Sequence, residues 1–248
     1  MKILASDFDG TLNHGGINDY KRQAIARWRQ AGNRFGLVSG RSMEDLAPIA
    51  RNERLECDFF IGNNGAVIAD SNGEILDEVR CPGSVAAPLV DMLFAEGCSF
   101  VRVCTQPGYC LRPTAADCGG GETPRADLPP LPYFTQIATI CANSQEAAAL
   151  GQRVTAQFGD YVTPLVNNQC LDIVPRGVDK AQGLYRLARL YHVSPEQILT
   201  VGDAGNDAAM LAAFRSYAMQ NGDPVILALA DAVTPGVAEL IDRELAAT

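Results

Sequence analysis

The run Asp7-Phe8-Asp9-Gly10-Thr11 constrains the fold more than any other stretch of the chain. The apolar residues before it, Ile3 to Ser6, are typical of a short buried strand, and Gly10 ends the extended segment. The run thus places two carboxylates where a strand meets a loop, and ligands bind there in an open α/β sheet. Such a pair is unfavourable unless a cation or a reaction uses it. The alternative is an aspartate-rich surface turn.

The order of predicted elements divides the chain. Strand, short loop and helix alternate over residues 1–80, and the alternation resumes after Gly177. Residues 81–176 instead predict helices and locally paired strands, including a hairpin around Asn167-Asn168, which indicates an antiparallel sheet with helices on one face. We therefore predict an α/β fold: a doubly wound, mostly parallel core sheet from residues 1–80 and 177–248, with an inserted α+β domain at 81–176. The Gly/Pro-rich run 117–132 predicts a mobile loop, and two helices are predicted after Met219.

Composition excludes several functions. The net charge of −9 argues against nucleic-acid binding, which needs basic surface. The start of the chain lacks the apolar segment of a signal peptide, and no apolar run of about 18 residues follows. We expect a cytoplasmic protein without a membrane segment. With only two histidines, acid–base or metal chemistry by histidine is not expected.

The eight cysteines do not form a metal-binding pattern. Cys98, Cys104, Cys110 and Cys118 are spaced too widely for a C-x-x-C motif, and no histidine lies among them. A zinc site and a structural disulfide were the alternatives, but buried or partly buried free thiols are favoured.

Further polar residues follow other predicted strands. They are Ser39-Gly40-Arg41, Asn63-Asn64, and Asp203 with Asn206 and Asp207. If the strands are parallel, Ser39 and the group of Asp203, Asn206 and Asp207 meet Asp7, Asp9 and Lys180 at one edge of the sheet. Taken alone, Ser39 is an ordinary turn residue, and Asp207 could only stabilise a helix N-terminus.

Lys180 begins a predicted helix and faces inward with an apolar stripe of Leu184, Leu187 and Tyr191. One interpretation is a lysine whose aliphatic stem covers apolar surface. A lysine gains little at the positive end of a helix, however, so a nearby anion explains it better. Carboxylates suit Mg²⁺, and a metal, a lysine and a hydroxyl around one point suit phosphoryl transfer. The sequence contains neither G-x-x-x-x-G-K-[ST] nor G-x-G-x-x-G after a strand.

At this point the chain resembles a known family. DFDGT, the serine of LVSGR, Lys180 and GDAGND match, in order, the four motifs of the haloacid dehalogenase superfamily of phosphatases. IGNNGAVIAD and LDIVPRGVDK resemble its Cof-type branch, subfamily IIB. The resemblance covers nearly the whole chain and implies a Rossmann-like core with an inserted cap domain.

The resemblance also implies a role for each matched residue. Asp7 would be the nucleophile that becomes an aspartyl phosphate, and Asp9 the general acid and then the base. Mg²⁺ would bind the carboxylates of Asp7 and Asp203 and the backbone carbonyl of Asp9, with Asp207 assisting directly or through water. Ser39 and Lys180 would bind the phosphoryl oxygens. The remaining predicted substrate-binding residues are Thr11, Gly40, Arg41, Asn63, Asn64 and Asn206.

These roles predict a Mg²⁺-dependent phosphatase that acts on a small phosphorylated metabolite. The polar hairpin Asn167-Asn168-Gln169, together with Arg41 and Asn63-Asn64, favours a leaving group rich in hydroxyls. The predicted substrate is therefore a sugar phosphate or a similar polyol phosphate. Two alternatives are open: a phosphotransferase or sugar phosphomutase that uses the same aspartyl phosphate, and a non-catalytic binding module on the same fold. The sequence does not determine the physiological substrate or the oligomeric state.

Overall fold

The computed structural model describes residues 1–247, and no helix within that range has both the length and the apolar character to cross a bilayer. The chain divides into two compact units. Unit 1 consists of Met1–Asp77 and Asp179–Thr248, and unit 2 of Glu78–Val178. The sequence placed the boundaries at 80/81 and 176/177, and the assignment of a catalytic core and a cap to these segments remains a prediction.

The strands are short, as expected for a chain rich in tight loops. In chain order they are β1 (Ile3–Ser6), β2 (Arg34–Val38), β3 (Phe59–Gly62), β4 (Val67–Asp70), β5 (Ile75–Glu78), β6 (Cys81–Pro82), β7 (Val101–Cys104), β8 (Tyr109–Arg112), β9 (Thr123–Pro124), β10 (Tyr133–Phe134), β11 (Gln136–Ile140), β12 (Val162–Asn167), β13 (Cys170–Pro175), β14 (Ile198–Gly202), β15 (Arg215–Met219) and β16 (Ala232–Thr234).

The helices alternate with these strands in unit 1 and are fewer in unit 2. They are α1 (Asp19–Gln30), α2 (Met43–Asn52), α3 (Ala86–Ala95), α4 (Ser144–Phe158), α5 (Lys180–Tyr191), α6 (Ala208–Ala213), α7 (Pro224–Leu229) and α8 (Val237–Ala246). Several begin with side-chain caps: Asn18, Asn143 and Asp179 each accept a backbone N–H from the first turn.

Unit 1 is built on an eight-stranded sheet in the order β16-β15-β14-β1-β2-β3-β4-β5. The six strands from β16 to β3 are parallel, and β4 is antiparallel to β3. Every residue of β1, β3 and β14 is buried, because apolar clusters cover both faces of the sheet. The predicted doubly wound, mostly parallel sheet is therefore confirmed.

Unit 2 contains a six-stranded sheet in the order β12-β13-β11-β7-β8-β9. Its pairs are antiparallel except β8 with β9, and β6 pairs separately with β10. Leu89 and Leu93 of α3, and Leu150 and Val154 of α4, join strand residues such as Ile173 in one apolar cluster. The two helices thus share a single core with the sheet.

Two local features go beyond what the sequence predicted. The chain after Met219 contains the strand β16 as well as the two predicted helices, because three residues are too few for a periodic pattern. The Gly/Pro-rich run is also more structured than a loop without regular structure. Its residues Thr123–Pro124 pair with β8, and Arg125 forms a bidentate ion pair with Asp91.

Candidate active site

The site lies in unit 1, where parallel strands end at the same edge of the sheet. Asp7 directly follows β1 and Ser39 directly follows β2. Asn63 directly follows β3 and Asp203 directly follows β14. Lys180 is the first residue of α5. The carboxyl edge of one sheet therefore gathers residues that are far apart in sequence.

A tight turn carries the first two aspartates. The N–H of Leu12 donates to the carbonyl of Asp7 at 3.3 Å, and that of Asn13 to Phe8 at 2.8 Å. Gly10 has a φ of +79°, and a Cβ atom there would lie only 2.2 Å from Oδ2 of Asp203. Glycine is therefore required at this position both for the backbone conformation and for the close approach of the two loops.

Lys180 occupies the centre of the site. Its side chain is fully buried, and Nζ lies 2.7 Å from Oδ1 of Asp7 and 2.5 Å from Oδ1 of Asp207. The sequence indicated that an anion lies near this lysine, and the structure places two carboxylates there, those of Asp7 and Asp207. Two partners of opposite charge are what a buried ammonium requires.

Asp203 is held by its neighbours in the site. Its Oδ1 accepts a hydrogen bond of 2.6 Å from the hydroxyl of Thr11, and its backbone N–H donates to Oδ2 of Asp207 at 2.9 Å. The same oxygen, Oδ2 of Asp207, also accepts from the N–H of Ala204 at 3.1 Å. The buried hydroxyl of Thr11, which the resemblance implies would help to orient the motif, donates to Asp203, and its part in substrate binding remains a prediction.

Asp9 lies outside this buried cluster and pairs with Arg41. The guanidinium donates from Nε to Oδ2 at 2.6 Å and from Nη2 to Oδ1 at 2.8 Å. The two side chains are 49% and 40% exposed, so the pair is open to solvent. A bidentate pair fixes the orientation of the carboxylate.

The loops after β2 and β3 support each other. The hydroxyl of Ser39 accepts from the N–H of Arg41 at 3.2 Å, and its carbonyl accepts from the N–H of Asn64 at 3.0 Å. Asn206 donates its side-chain amide to Oδ1 of Asn64 at 3.3 Å. These contacts bring the predicted phosphate-binding and leaving-group residues to one part of unit 1, while their roles remain predictions.

The turn after β3 seats the start of α5. Asn63, Asn64 and Gly65 all have positive φ, and a Cβ on Gly65 would lie 2.0 Å from the carbonyl oxygen of Asp179. A Cβ on Gly183 would likewise lie only 2.9 Å from the Cα of Gly65. Sequence reasoning missed both glycines, which permit the close packing that places Lys180.

Asn221 is another residue of the site that the sequence analysis did not identify. It follows β15, and its side-chain amide donates to the carbonyl of Gly10 at 3.0 Å. Asn221-Gly222-Asp223 reads in the sequence as ordinary turn chemistry. Its place at the carboxyl end of a parallel strand was the signal that could have revealed it.

Burial dominates the electrostatics of the site. It raises the pKa of the Asp7 carboxyl to about 8, although Lys180 acts in the opposite direction. Burial likewise raises the pKa of Asp203, against the hydrogen bond from Thr11. Burial alone would lower the pKa of Lys180, but the charges of Asp207 and Asp7 outweigh it and raise that pKa. Three carboxyl groups share one lysine in this cluster, so acidic groups are in excess of basic ones.

The surplus charge fits a divalent cation. Asp7, Asp203 and Asp207 offer carboxylate oxygens that all lie within 4.8 Å of one another. Hard oxygen donors of this kind suit Mg²⁺. The absence of a side chain at Gly10 lets Asp203 approach the turn that carries Asp7 and Asp9, since a Cβ there would lie 2.2 Å from Oδ2 of Asp203. The donor set thus agrees with the predicted metal, whose binding is a proposal below.

Comparison with known proteins identifies the family. A model of the haloacid dehalogenase-like hydrolases matches residues 4–239. The chain belongs to the haloacid dehalogenase-like hydrolases. The four motifs quoted from the sequence all fall inside the matched range.

Individual relatives agree with this assignment. Pyridoxal phosphate phosphatase YbhA of Escherichia coli (strain K12) is 27% identical, over 98% of this chain and 98% of the relative. The 5-amino-6-(5-phospho-D-ribitylamino)uracil phosphatase YbjI of the same strain is 25% identical, over 99% and 96%. The solved HAD subclass IIB sugar phosphatase BT4131 has the same fold, with a TM-score of 0.82, 17% identity and coverage of 98% and 99%. The chain is thus a Cof-type phosphatase of the family, a phosphoric monoester hydrolase for small phosphate substrates.

Proposed function

We propose that the chain hydrolyses small phosphate monoesters with Mg²⁺, through an aspartyl phosphate on Asp7. The buried contact of Lys180 with both Asp7 and Asp207 is the observation that supports this most strongly. Asp7 and Asp207 already satisfy the buried charge of Lys180, so Asp203 beside them exceeds what the lysine requires. Two carboxylates with a third beside them favour a site that binds additional positive charge and a phosphoryl group.

In the first step, Oδ2 or Oδ1 of Asp7 attacks phosphorus, and the bond from phosphorus to the ester oxygen breaks. Lys180, which donates to Oδ1 of Asp7, stabilises the negative charge of the phosphoryl oxygens. Asp9 donates its proton to the departing alcohol. The products of this step are the free alcohol and a phosphoryl group bound covalently to Asp7.

In the second step, water attacks the same phosphorus, and Asp9 takes the proton that the water loses. The bond between phosphorus and Asp7 breaks, which releases inorganic phosphate and restores the carboxylate. To act in either step, Asp9 must leave Arg41, which holds both of its oxygens in the structure. Arg41 would then be free to contact the substrate, the role that the family resemblance implies.

Other groups are proposed to bind the metal and the phosphate. Asp7, Asp203 and the backbone carbonyl of Asp9 would hold Mg²⁺, with Asp207 assisting directly or through water. The ion would neutralise charge on the phosphoryl oxygens during transfer. The hydroxyl of Ser39 would bind a phosphoryl oxygen together with Lys180. The proposed substrate-binding set is completed by Thr11 through Asp203, Gly40, Arg41, Asn63, Asn64 and Asn206.

A sugar phosphate is the substrate class that we propose. BT4131 is named a sugar phosphatase, and the name of YbjI describes a phosphorylated ribityl chain, so both suggest leaving groups with several hydroxyls. Asn63, Asn64 and Asn206 supply neutral amides in the site, and such groups suit hydroxyls. The polar turn Asn168-Gln169 between β12 and β13 is proposed to contribute selectivity.

The test is a panel of sugar phosphates, other alkyl phosphates and an aryl phosphate, assayed for inorganic phosphate with Mg²⁺ and with excess chelator. We expect Mg²⁺-dependent release, fastest with pentose or hexose phosphates. Isomerisation of a hexose phosphate without phosphate release would instead show a mutase. No turnover of any ester with Mg²⁺ would contradict the proposal and favour a binding module.

The substrate class has its own test. The double variant Asn168→Ala/Gln169→Ala should raise KM for sugar phosphates and leave aryl phosphate hydrolysis nearly unchanged. Asn72→Ala, in the turn between β4 and β5 of unit 1, is the matched control and should change neither. If the double variant alters neither substrate, or if sugar phosphates are no better than aryl phosphates, the sugar assignment is wrong.

A further inference from the structure

The segment Gln220–Asp223, which follows β15, contacts both turns that carry the metal-site carboxylates. The side-chain amide of Asn221 donates to the carbonyl of Gly10 at 3.0 Å. The backbone N–H of Asp223 donates to the carbonyl of Asp203 at 2.9 Å. Because β14 lies between β15 and β1 in the sheet, Asn221 reaches past the Asp203 turn to meet Gly10.

These contacts close a ring around Asp203. The third hydrogen bond is the one from the hydroxyl of Thr11 to Oδ1 of Asp203, at 2.6 Å. Gly222 completes the packing, since a Cβ there would lie 3.2 Å from the carbonyl oxygen of Asp203. The Gly10 turn is therefore attached to Asp203 directly through Thr11, and indirectly through Asn221 and Asp223.

The turn that Asn221 holds determines where the carbonyl of Asp9 points. Asp9 has φ −79° and ψ 124°, and Gly10 has φ 79° and ψ −16°, which match the central residues of a type II turn. In a type I turn the peptide between these two residues, which carries the carbonyl of Asp9, has the opposite orientation. A donor on the next carbonyl restricts the conformation of Gly10 and so helps to keep the turn in its observed form.

We propose that Asn221 is a positioning residue for the metal site. Its amide holds the Gly10 peptide, so that the carbonyl of Asp9 and the carboxylate of Asp203 keep the spacing that Mg²⁺ requires. The inference rests on the proposed function, because it assumes that the ion binds at these groups. The role requires a hydrogen-bond donor, because a carbonyl oxygen is the partner.

The test compares Asn221→Leu and Asn221→Ala with the parent protein. Leucine keeps the approximate size of asparagine without a donor, and alanine removes both. Isothermal titration calorimetry with Mg²⁺ alone should show a Kd that is about threefold to tenfold higher in both variants, the range of one neutral hydrogen bond. At saturating Mg²⁺, KM for the phosphate ester should stay near the parent value, while kcat falls by a similar or smaller factor.

Asn18→Ala is the matched control. It removes the cap of α1 in the same unit, so it should lower Tm and leave the Kd for Mg²⁺ unchanged. Asn221 is exposed, so its variants should show the reverse pattern, with an altered Kd and a Tm near that of the metal-free parent.

Two results would overturn the inference, and they are distinguishable. If the parent binds Mg²⁺ and both Asn221 variants bind it equally well, Asn221 has no positioning role, while the proposed function stands. If the parent itself binds no Mg²⁺, the metal-dependent function fails and the inference fails with it. A Kd raised equally by Asn18→Ala would show general destabilisation and would also contradict it.

Discussion

The two ends of the sheet in unit 1 both bury carboxylates, but they balance charge in opposite ways. At the carboxyl ends of the strands, three aspartates face the single ammonium of Lys180. Near the amino ends, one buried carboxylate, Glu244, accepts from Lys2 at 3.1 Å, Arg215 at 2.6 Å and the hydroxyl of Tyr217 at 2.7 Å. One end has surplus negative charge and the other has a fully paired acid.

The difference separates a structural network from a reactive one. A buried acid with several partners fixes the packing of α8 on the sheet and needs nothing further. A cluster with too few cations is unfavourable to the fold, and burial raises the pKa of Asp7 and Asp203 accordingly. Such a cluster is typical of a functional site. In the described part of unit 2 the buried polar side chains are neutral, namely Thr105, Thr135, Gln136 and Thr139.

The largest expected effect comes from exchanging one acid at each end for its amide. Asp7→Asn should lower turnover by more than about a thousandfold, because the amide cannot form the covalent intermediate. Glu244→Gln should leave kcat near the parent value and lower the free energy of unfolding by about 1–3 kcal/mol. Phosphate-release kinetics and denaturant unfolding measure the two effects. Turnover of Asp7→Asn within about tenfold of the parent would exclude Asp7 as the nucleophile.

The next effect concerns the surplus charge itself. A chelator should stop activity, and Asp203→Ala should raise the Mg²⁺ concentration needed for half-maximal activity strongly or abolish turnover. Activity measured over a series of Mg²⁺ concentrations tests this, with Asp242→Ala as the control, since Asp242 pairs with Arg27 and Tyr20 away from the cluster. Full activity of the parent in excess chelator would show that the aspartates serve another purpose.

A smaller effect is expected at the exposed acid of the carboxyl end. Asp9→Asn should slow both half-reactions, but an aryl phosphate should lose less in the first step, because its leaving group needs little protonation. Burst kinetics with aryl and alkyl phosphates separate the two steps. Equal losses for both esters would indicate that Asp9 mainly holds geometry, together with Arg41.

The smallest effect is the dependence of stability on pH in metal-free protein. Burial raises the pKa of Asp7 from 3.8 to about 8, so its folded state binds the proton more tightly, and stability is lost as the pH rises through this window. Burial would also raise the pKa of Glu244, but Tyr217, Lys2 and Arg215 outweigh it and lower that pKa. The contribution of Glu244 is therefore present above the ordinary glutamate pKa and is lost as the pH falls.

Thermal unfolding across pH measures both slopes. Relative to the parent without metal, Asp7→Asn should have a higher Tm at pH 8, and Glu244→Gln a lower one. A difference of 1 kcal/mol corresponds to about 2–4 °C for a chain of this size. The Glu244→Gln difference should shrink at acidic pH. Parallel pH profiles for all three proteins would contradict the contrast between the two ends.

Much of the site was predictable because its signals are local. Asp7, Ser39 and Asp203 each follow a short apolar run and have a glycine within three positions, and such runs form strands whatever their partners are. Lys180 stood out as a charge at the head of an apolar stripe. The strand β16 was not predicted, because it has only three residues and depends on its pairing with β15.

By itself the sequence determined which residues stand at strand ends, because strand and helix periodicity and glycine breaks act over a few neighbouring positions. Only the tertiary structure decided the partners: Arg41 for Asp9, Thr11 for Asp203, and Asn221 for Gly10. These pairs are separated by 32, 192 and 211 positions along the chain. Their contacts depend on the order and register of parallel strands and on the close approach that Gly10 allows, and these follow from packing the whole sheet.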